Sequence, residues 1–146
     1  MVYYIHMSWV IYALLSAFFA ALTAILAKIG VKNIDSNLAT AIRTVVILLF
    51  AWGIVFFQGT TKQIGSLSSF TVLFLVLSGI ATGLSWLFYF RALQLGNASQ
   101  VAPIDKLSIV LTLLLSIFIL KEKADLSVIL GIALMVTGAI LVGFGK

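Results

Sequence analysis

The sequence is poor in the residues that most catalytic and metal sites require. Its 146 residues include no cysteine and one histidine, His6, which excludes disulfides, thiolate metal sites and a histidine cluster. Asp and Glu together number four, and no nucleophile with a neighbouring general base can be assembled from these residues. We therefore expect neither an enzyme nor a bound cofactor or metal.

Charge is scarce as well. Charged residues make up 9% of the chain, against roughly 25% in soluble domains. Hydrophobic residues instead reach 63%, and the mean hydropathy is +1.26. A chain of this length and apolarity has room for a few membrane spans of about 20 residues each and none for a soluble catalytic domain. The sequence therefore predicts an integral membrane protein in contact with lipid.

The excess of positive charge does not indicate a nucleic-acid partner. The net charge is +5, but the Lys and Arg residues are scattered at the ends of the apolar segments and inside them, without a basic run or interleaved aromatic residues. Contacts with lipid headgroups and the positive-inside rule explain this distribution better.

Five apolar stretches separated by short polar breaks predict an all-α, polytopic fold with five transmembrane helices, because the alternating pattern of β-barrel strands is absent. We expect one transmembrane domain over residues 1–146. The segment before Met7 is too short and uncharged for a signal peptide, and either Met1 or Met7 fits the start of the chain. The predicted helices cover about residues 8–29, 36–57, 69–95, 99–120 and 125–144.

Two of these predicted helices carry polar side chains at steps of three and four residues, so that each has a polar line on one face. A single line indicates little, because Ser and Thr in membrane helices often bond their own backbone. Two such lines favour a polar cavity that serves as a substrate path. The candidate path residues are Ser78, Thr82, Ser85, Trp86, Tyr89, Ser108 and Thr112, and the fourth-helix line also contains Asp105 and Ser116.

Four charged residues are candidates for charge balance or coupling: Arg43, Arg91, Asp105 and Lys106. Arg43 and Asp105 each lie about two turns into a predicted helix, roughly 10 Å deep at about 1.5 Å per residue. One interpretation is an orienting ion pair between these two, with Arg91 and Lys106 reaching the headgroups. The other is a charged vestibule in which Asp105 balances one cation and the surplus positive charge attracts an anionic or zwitterionic solute.

Glycines in the last predicted helix form a seam of small residues. Gly131, Gly138 and Gly145 are seven residues apart, a spacing that lines one side of a left-handed helix crossing. Ordinary packing inside the chain explains such a motif as well as a dimer interface does. We expect the seam to contribute to a dimer.

Nearly the whole chain resembles a known family of transporters, and the second half carries the specific pattern. The segment "WLFYFRALQLGNASQVAPIDKLSIVLTLLLSIFILKEKADLSVILGIALMVTGAILV", residues 86–142, is similar to the EamA-type half of the drug/metabolite transporter superfamily. In that pattern an aromatic helix ends in Y-x-x-A-L and is followed by A-x-x-V-A-P-I, L-S-x-V-L-T-x-L-L, an acidic helix end and a glycine-punctuated helix. The matching residues are Tyr89, Ala92, Leu93, 101–104, 107–112, Glu122, Gly131 and Gly138.

The resemblance implies solute transport, most often export of metabolites or drugs, by alternating access in the cell membrane. Larger relatives contain ten helices in two inverted five-helix repeats, so this chain resembles one inverted-repeat half. Small four-helix relatives couple transport to protons through a glutamate in their first helix. The first predicted helix here contains no acidic residue, so that coupling scheme is not carried over.

An inverted-repeat half needs an oppositely oriented partner, so we expect an antiparallel dimer. The positive-inside rule gives a tie between Lys28, Lys32 and Lys146 on one side and Lys62, Lys121 and Lys123 on the other, if Arg43, Arg91 and Lys106 are discounted as internal. Counting those three favours a cytoplasmic C-terminus. We expect dual insertion and a homodimer. A separately encoded paralogous half is the alternative. For function, a lipid-carrier flippase subunit and a non-transporting accessory membrane subunit also remain open.

Overall fold

The computed structural model describes the backbone of residues 2–145 and the side chains of residues 9–145. Over this part of the chain the structure is helical with short connections and contains no strand, which confirms the all-α prediction. The side chain of His6, expected outside the bundle, and Lys146, counted in the charge balance, lie outside the described residues. The α-helices are α1 Val2–Gly30, α2 Ser36–Gln58, α3 Ser69–Leu95, α4 Ala98–Asp105, α5 Ser108–Leu115 and α6 Leu126–Phe144.

Five helical stretches are long and apolar enough to cross a membrane, so the chain is a multi-pass membrane protein. Their large apolar side chains are widely exposed: Phe50 is 71% exposed and Phe88 is 74% exposed. Exposure of this kind is normal when the surrounding solvent is lipid. The spans are Trp9–Gly30, Ser36–Gln58, Ser69–Leu95, Ala98–Leu120 and Leu126–Phe144.

The second span has clear start and stop signals. Asp35 is the N-cap of α2, and its Oδ1 accepts hydrogen bonds from the backbone N–H of Asn37 at 2.9 Å and of Leu38 at 3.1 Å. The helix ends at Gly59, whose φ of 68° is a left-handed conformation that glycine adopts without strain. A 3₁₀ segment, Thr60–Ser66, then leads toward α3.

The fourth span is not one regular helix. It begins at Ala98, with Asn97 as the N-cap residue, and contains Pro103 inside α4. Its first helical piece ends at Asp105, and the connection to α5 has 3₁₀-type bonds, including the N–H of Leu107 donating to the carbonyl of Ile104 at 3.0 Å. The last part, Ser116–Leu120, is π-helical. This span therefore contains two departures from α-helical bonding.

The chain separates into two compact units, which are described one at a time. The first joins α1 up to Ala27 with the part of the chain from Leu95 onward, and within it α6 packs against α4. Gly143 is in close contact with Ile104, since a Cβ added at Gly143 would overlap the Ile104 side chain. A glycine at this point therefore permits the close approach of the two helices.

The second unit covers Lys28–Gln94 and includes the last residues of α1, the connection to α2, α2 itself, the 3₁₀ segment and nearly all of α3. Its most buried apolar side chains are Val31, Phe90 and Leu93, exposed by 1%, 2% and 0%. Ser36 and Thr40 on α2 are also buried. The prediction of one transmembrane domain over the whole chain stays a prediction.

Candidate functional site

Arg43 is the most unusual residue of the second unit, because it is a cation on a membrane-spanning helix. It lies seven residues after the first residue of α2, about 10 Å along the helix at 1.5 Å per residue. Its guanidinium carbon is 4.4 Å from the centroid of the Trp86 ring and 5.2 Å from that of Phe90. Both distances are within the range of cation–π attraction. Arg43 therefore makes cation–π contacts with two aromatic rings of α3.

The helical spacing of α2 and α3 explains this contact. On α2, Ser36, Thr40 and Arg43 recur at steps of four and three and are buried or half-buried, so they share one face. On α3, Trp86 and Phe90 are four residues apart and lie one above the other on the same face. The Thr40 hydroxyl donates to the Ser36 carbonyl at 2.9 Å and is thereby satisfied inside its own helix. Phe90 was not among the candidate site residues, although its spacing of four residues from Trp86 indicated that the two rings share a helix face.

The unit that contains Arg43 carries net positive charge. Residues 28–94 contain five basic side chains and one acidic side chain, Asp35, whose carboxylate caps α2. Within residues 28–94, all of which the structure describes, the Arg43 guanidinium has no carboxylate partner, and it interacts electrostatically with Tyr89. The N–H donors of a guanidinium lie in its plane and point along its edges. The site can therefore offer charged donors to an anion.

A second polar cluster lies at the end of α3. Arg91 donates to Oε1 of Gln94 at 2.5 Å, and Nε2 of Gln94 donates to the carbonyls of Ile34 at 2.8 Å and Val31 at 3.2 Å. Arg91 was predicted as a charge or coupling residue. Here it orients the amide of Gln94, which holds the connection between α1 and α2.

Lys28 strengthens this attachment. Its Nζ donates to the backbone carbonyl of Leu93 at 2.6 Å, one of the carbonyls that a helix end leaves without an intrahelical partner. A cation at a helix C-terminus also interacts favourably with the helix dipole. Lys28 and Gln94 are positioning residues that sequence reasoning missed. The sequence shows both as polar residues near a span end. It does not show their partners, which are backbone groups more than 60 positions away along the chain.

In the first unit, Asp105 and Lys106 lie at the interruption between α4 and α5. Oδ2 of Asp105 is 3.5 Å from Nζ of Lys106, and the side chains of Lys106 and Asp105 are 64% and 37% exposed. An ion pair between exposed neighbours contributes little to stability. The structure thus gives Asp105 a local partner, and its predicted pairing with Arg43 stays a prediction.

The two polar lines contain hydroxyls that bond their own helices. The side chain of Thr82 donates to the Ser78 carbonyl at 2.9 Å, and that of Thr112 donates to the Ser108 carbonyl at 3.0 Å. Both bonds join residues four positions apart within one helix. Such bonds lower the cost of a hydroxyl in an apolar medium while leaving its oxygen able to accept another hydrogen bond. The substrate path itself stays a prediction.

The glycine seam lies on an exposed side of α6. A Cβ added at Gly131 or Gly138 would meet nothing within 4 Å, whereas one added at Gly143 would meet Ile104. Gly138 and Gly143 are about a third of a turn apart at 3.6 residues per turn. Gly145 follows the end of α6. The seam is therefore separate from the face that packs against α4, and its role in a dimer stays a prediction.

A shallow, largely apolar cavity of about 290 Å³ lies at the opposite end of α2 from Arg43. The predicted path residues do not line it. Its position beside the 3₁₀ segment places it near the span end. The lining residues are Ala51, Trp52, Val55, Thr60, Gln63, Ile64 and Leu67.

Comparison with known proteins identifies the family of this chain. The model of the EamA-like transporter family matches residues 7–144. The chain belongs to this family. It is also 53% identical over 134 residues to a Sinorhizobium sp protein named "Uncharacterized transporter in cobO 3'region", and the match covers 92% of this chain and 95% of that protein. No solved structure matches the chain.

Membership of the EamA-like transporter family confirms the resemblance found in the sequence. The family and the named relative indicate a membrane transporter rather than an enzyme. The five apolar helices agree with that assignment. The site residues of this transporter rest on its geometry, and the comparisons assign no residue a role.

Proposed function

We propose that this EamA-like transporter exports a small solute across the inner or plasma membrane by alternating access and works as an antiparallel dimer. The observation that carries the proposal is the interrupted fourth span. It contains Pro103 inside α4, a 3₁₀ connection after Asp105 and a π-helical segment at Ser116–Leu120.

The interruption after Asp105 lies inside the fourth span and gives it a place to bend, while the π-helical segment ends the span. Mid-helix 3₁₀ turns often mark hinges, because the regular bond from each N–H to the fourth preceding carbonyl is already replaced there. In transporters, discontinuous helices also commonly form the substrate and ion sites. Asp105 and Lys106 lie at the first interruption. We assign Asp105 the role of charge balancer or coupling group in the transport cycle.

The dimer proposal rests on the exposed glycine seam and on the balance of flanking charges. Gly131 and Gly138 have open space beside them, so a second copy can approach α6 closely. The match covers 95% of the Sinorhizobium relative, so that protein also has about the length of one five-helix unit. A homodimer is the form we propose, with a paralogous half as the alternative partner. A Gly138→Ile variant should lose most dimer cross-linking, while Gly53→Ile, which also has open space on α2, should retain it.

The test of transport uses the purified chain in liposomes. A screen of amino acids, organic anions and cationic dyes by solid-supported membrane currents identifies the solute. Because the natural sequence contains no cysteine, single cysteines at Thr82, Ser85, Ser108 and Thr112 report access of water-soluble thiol reagents to the proposed path. Cysteines at the exposed apolar residues Leu84 and Leu111 are matched controls, expected to face lipid and stay unreactive.

We expect the four path cysteines to react and the reaction to slow when the transported solute is present. If all four stay unreactive in the presence and absence of solute, the polar path is wrong. If no member of the screen produces a current from an intact, monodisperse protein, the exporter proposal fails.

A further inference from the structure

The Arg43 guanidinium, in cation–π contact with two aromatic rings inside a membrane span, points to the chemistry of the transported solute. We infer that Arg43 binds the carboxylate of an organic anion, and that Trp86 and Phe90 hold the guanidinium in place for this purpose. The inference rests on the proposed transport function and deepens it by naming the substrate class.

An arginine inside a membrane span is expensive and rare, so its presence calls for a partner or a ligand. Within residues 28–94 the sole carboxylate belongs to Asp35, which caps α2 through the N–H groups of Asn37 and Leu38. Cation–π contacts with Trp86 and Phe90 offset part of the cost of burying Arg43. They neutralise no charge, so within residues 28–94 a positive charge remains at this depth.

The guanidinium of Arg43 favours an anion of a particular shape. Its N–H donors form a rigid fork in the plane of the group. A carboxylate is also planar and accepts two parallel hydrogen bonds from such a fork. Phe90 is only 2% exposed, so its ring is held in place by packing, whereas Trp86 is half-buried and can also contact the solute.

Electrostatics favours the same class of solute. Residues 28–94 have five basic side chains and one acidic side chain, so this unit carries a net positive charge, and Arg43 itself supplies the field at the site in a medium of low dielectric constant. A neutral solute of equal shape gains nothing from this field. A cationic solute is repelled.

The test measures binding separately from transport. The chain has three tryptophans, so Trp9→Phe with Trp52→Phe leaves Trp86 as the one tryptophan fluorophore, in contact with Arg43. The protein is titrated in maltoside micelles with benzoate and with benzamide, its uncharged isostere. We expect a saturable change of Trp86 emission and an affinity for benzoate higher than that for benzamide by about tenfold or more, as charge-assisted hydrogen bonds provide.

Three variants show whether Arg43 is responsible. Arg43→Gln should reduce the benzoate preference to about one, and Arg43→Lys should lower it several-fold because an ammonium lacks the planar fork. Lys62→Gln removes the same charge from the exposed 3₁₀ segment and should retain the full preference. Size-exclusion chromatography checks the folding of each variant, and Arg43→Lys keeps the test valid if Arg43→Gln does not fold.

Equal binding of benzoate and benzamide, or a full preference in the folded Arg43 variants, overturns the inference.

A lipid phosphate is the competing anion, so phosphatidylglycerol is added to the micelles at a few mole per cent. Abolition of benzoate binding by this lipid assigns the site to headgroups and overturns the solute assignment, whereas undiminished binding supports it. Benzoate preference without transport in liposomes contradicts the proposed function alone, and transport that is independent of Arg43 contradicts the inference alone.

Discussion

Replacing Gly143 by alanine should destabilise the contact between α4 and α6, even though alanine is the better helix former. A Cβ built at Gly143 lies 2.7 Å from Cγ1 of Ile104 and closer still to its Cδ1. Cγ1 is bonded directly to the Cβ of Ile104, so it moves away only if χ1 rotates or the helices separate. In a helix, isoleucine has one strongly preferred χ1 rotamer. The overlap is therefore not relieved by a terminal methyl rotation.

Two opposing free energies set the size of the effect. Overpacking of a well-packed contact costs about 1–3 kcal/mol, and exchanging glycine for alanine within a helix contributes about 1 kcal/mol of stability. We therefore expect Gly143→Ala to lower the free energy of unfolding by about 1 kcal/mol. Ile104→Ala removes both atoms that the new Cβ would meet. In that background Gly143→Ala should stabilise by up to about 1 kcal/mol, which reverses the sign.

The free energies are measured by unfolding in mixed micelles at rising dodecyl sulfate fraction, followed by tryptophan fluorescence. Gly53→Ala on α2 is the matched control, because a Cβ at Gly53 meets nothing within 4 Å, so it reports helix propensity alone. Gly143→Ala is measured in the natural chain and in the Ile104→Ala variant. An equal change in both, with the same sign as the Gly53→Ala control, would refute the close approach of α4 and α6.

Three further predictions concern the polar clusters and the fourth span. Gln94→Leu removes three hydrogen bonds and should destabilise the connection between α1 and α2 by about 2–3 kcal/mol. The loss is measured as faster hydrogen exchange at the start of α2. Gln100→Leu loses one exposed hydrogen bond and should leave this exchange rate unchanged. Pro103→Ala supplies the N–H that proline lacks and should slow transport several-fold without weakening solute binding, and unchanged turnover would contradict the hinge. Asp105→Asn should alter the pH dependence of transport, and unaltered transport by this variant across pH would leave Asp105 a structural role. Lys106→Gln should change the free energy of unfolding by less than about 1 kcal/mol, because the ion pair of Asp105 and Lys106 is exposed.

The lengths and positions of the spans could be read from the sequence because they depend on local properties. An apolar run of about 20 residues must satisfy its backbone internally in lipid, and a helix does so within one segment. The predicted second and third spans agree with α2 and α3 to within a residue. The interruption after Asp105 was not predicted. Pro103 alone did not indicate it, since a proline near a helix start is tolerated.

The sequence by itself determined that the chain spans a membrane, crosses it with five helices and carries Arg43 at depth, because composition and helical period are properties of each segment alone. Tertiary structure decided what Arg43 touches. Residues on α2 and α3 have no fixed register until the helices pack, so the sequence allowed a pairing of Arg43 with Asp105 and did not indicate its contacts with Trp86 and Phe90. Packing also decided that Gln94 binds backbone carbonyls of Val31 and Ile34, because every residue offers such a carbonyl and only the folded chain brings these two within reach.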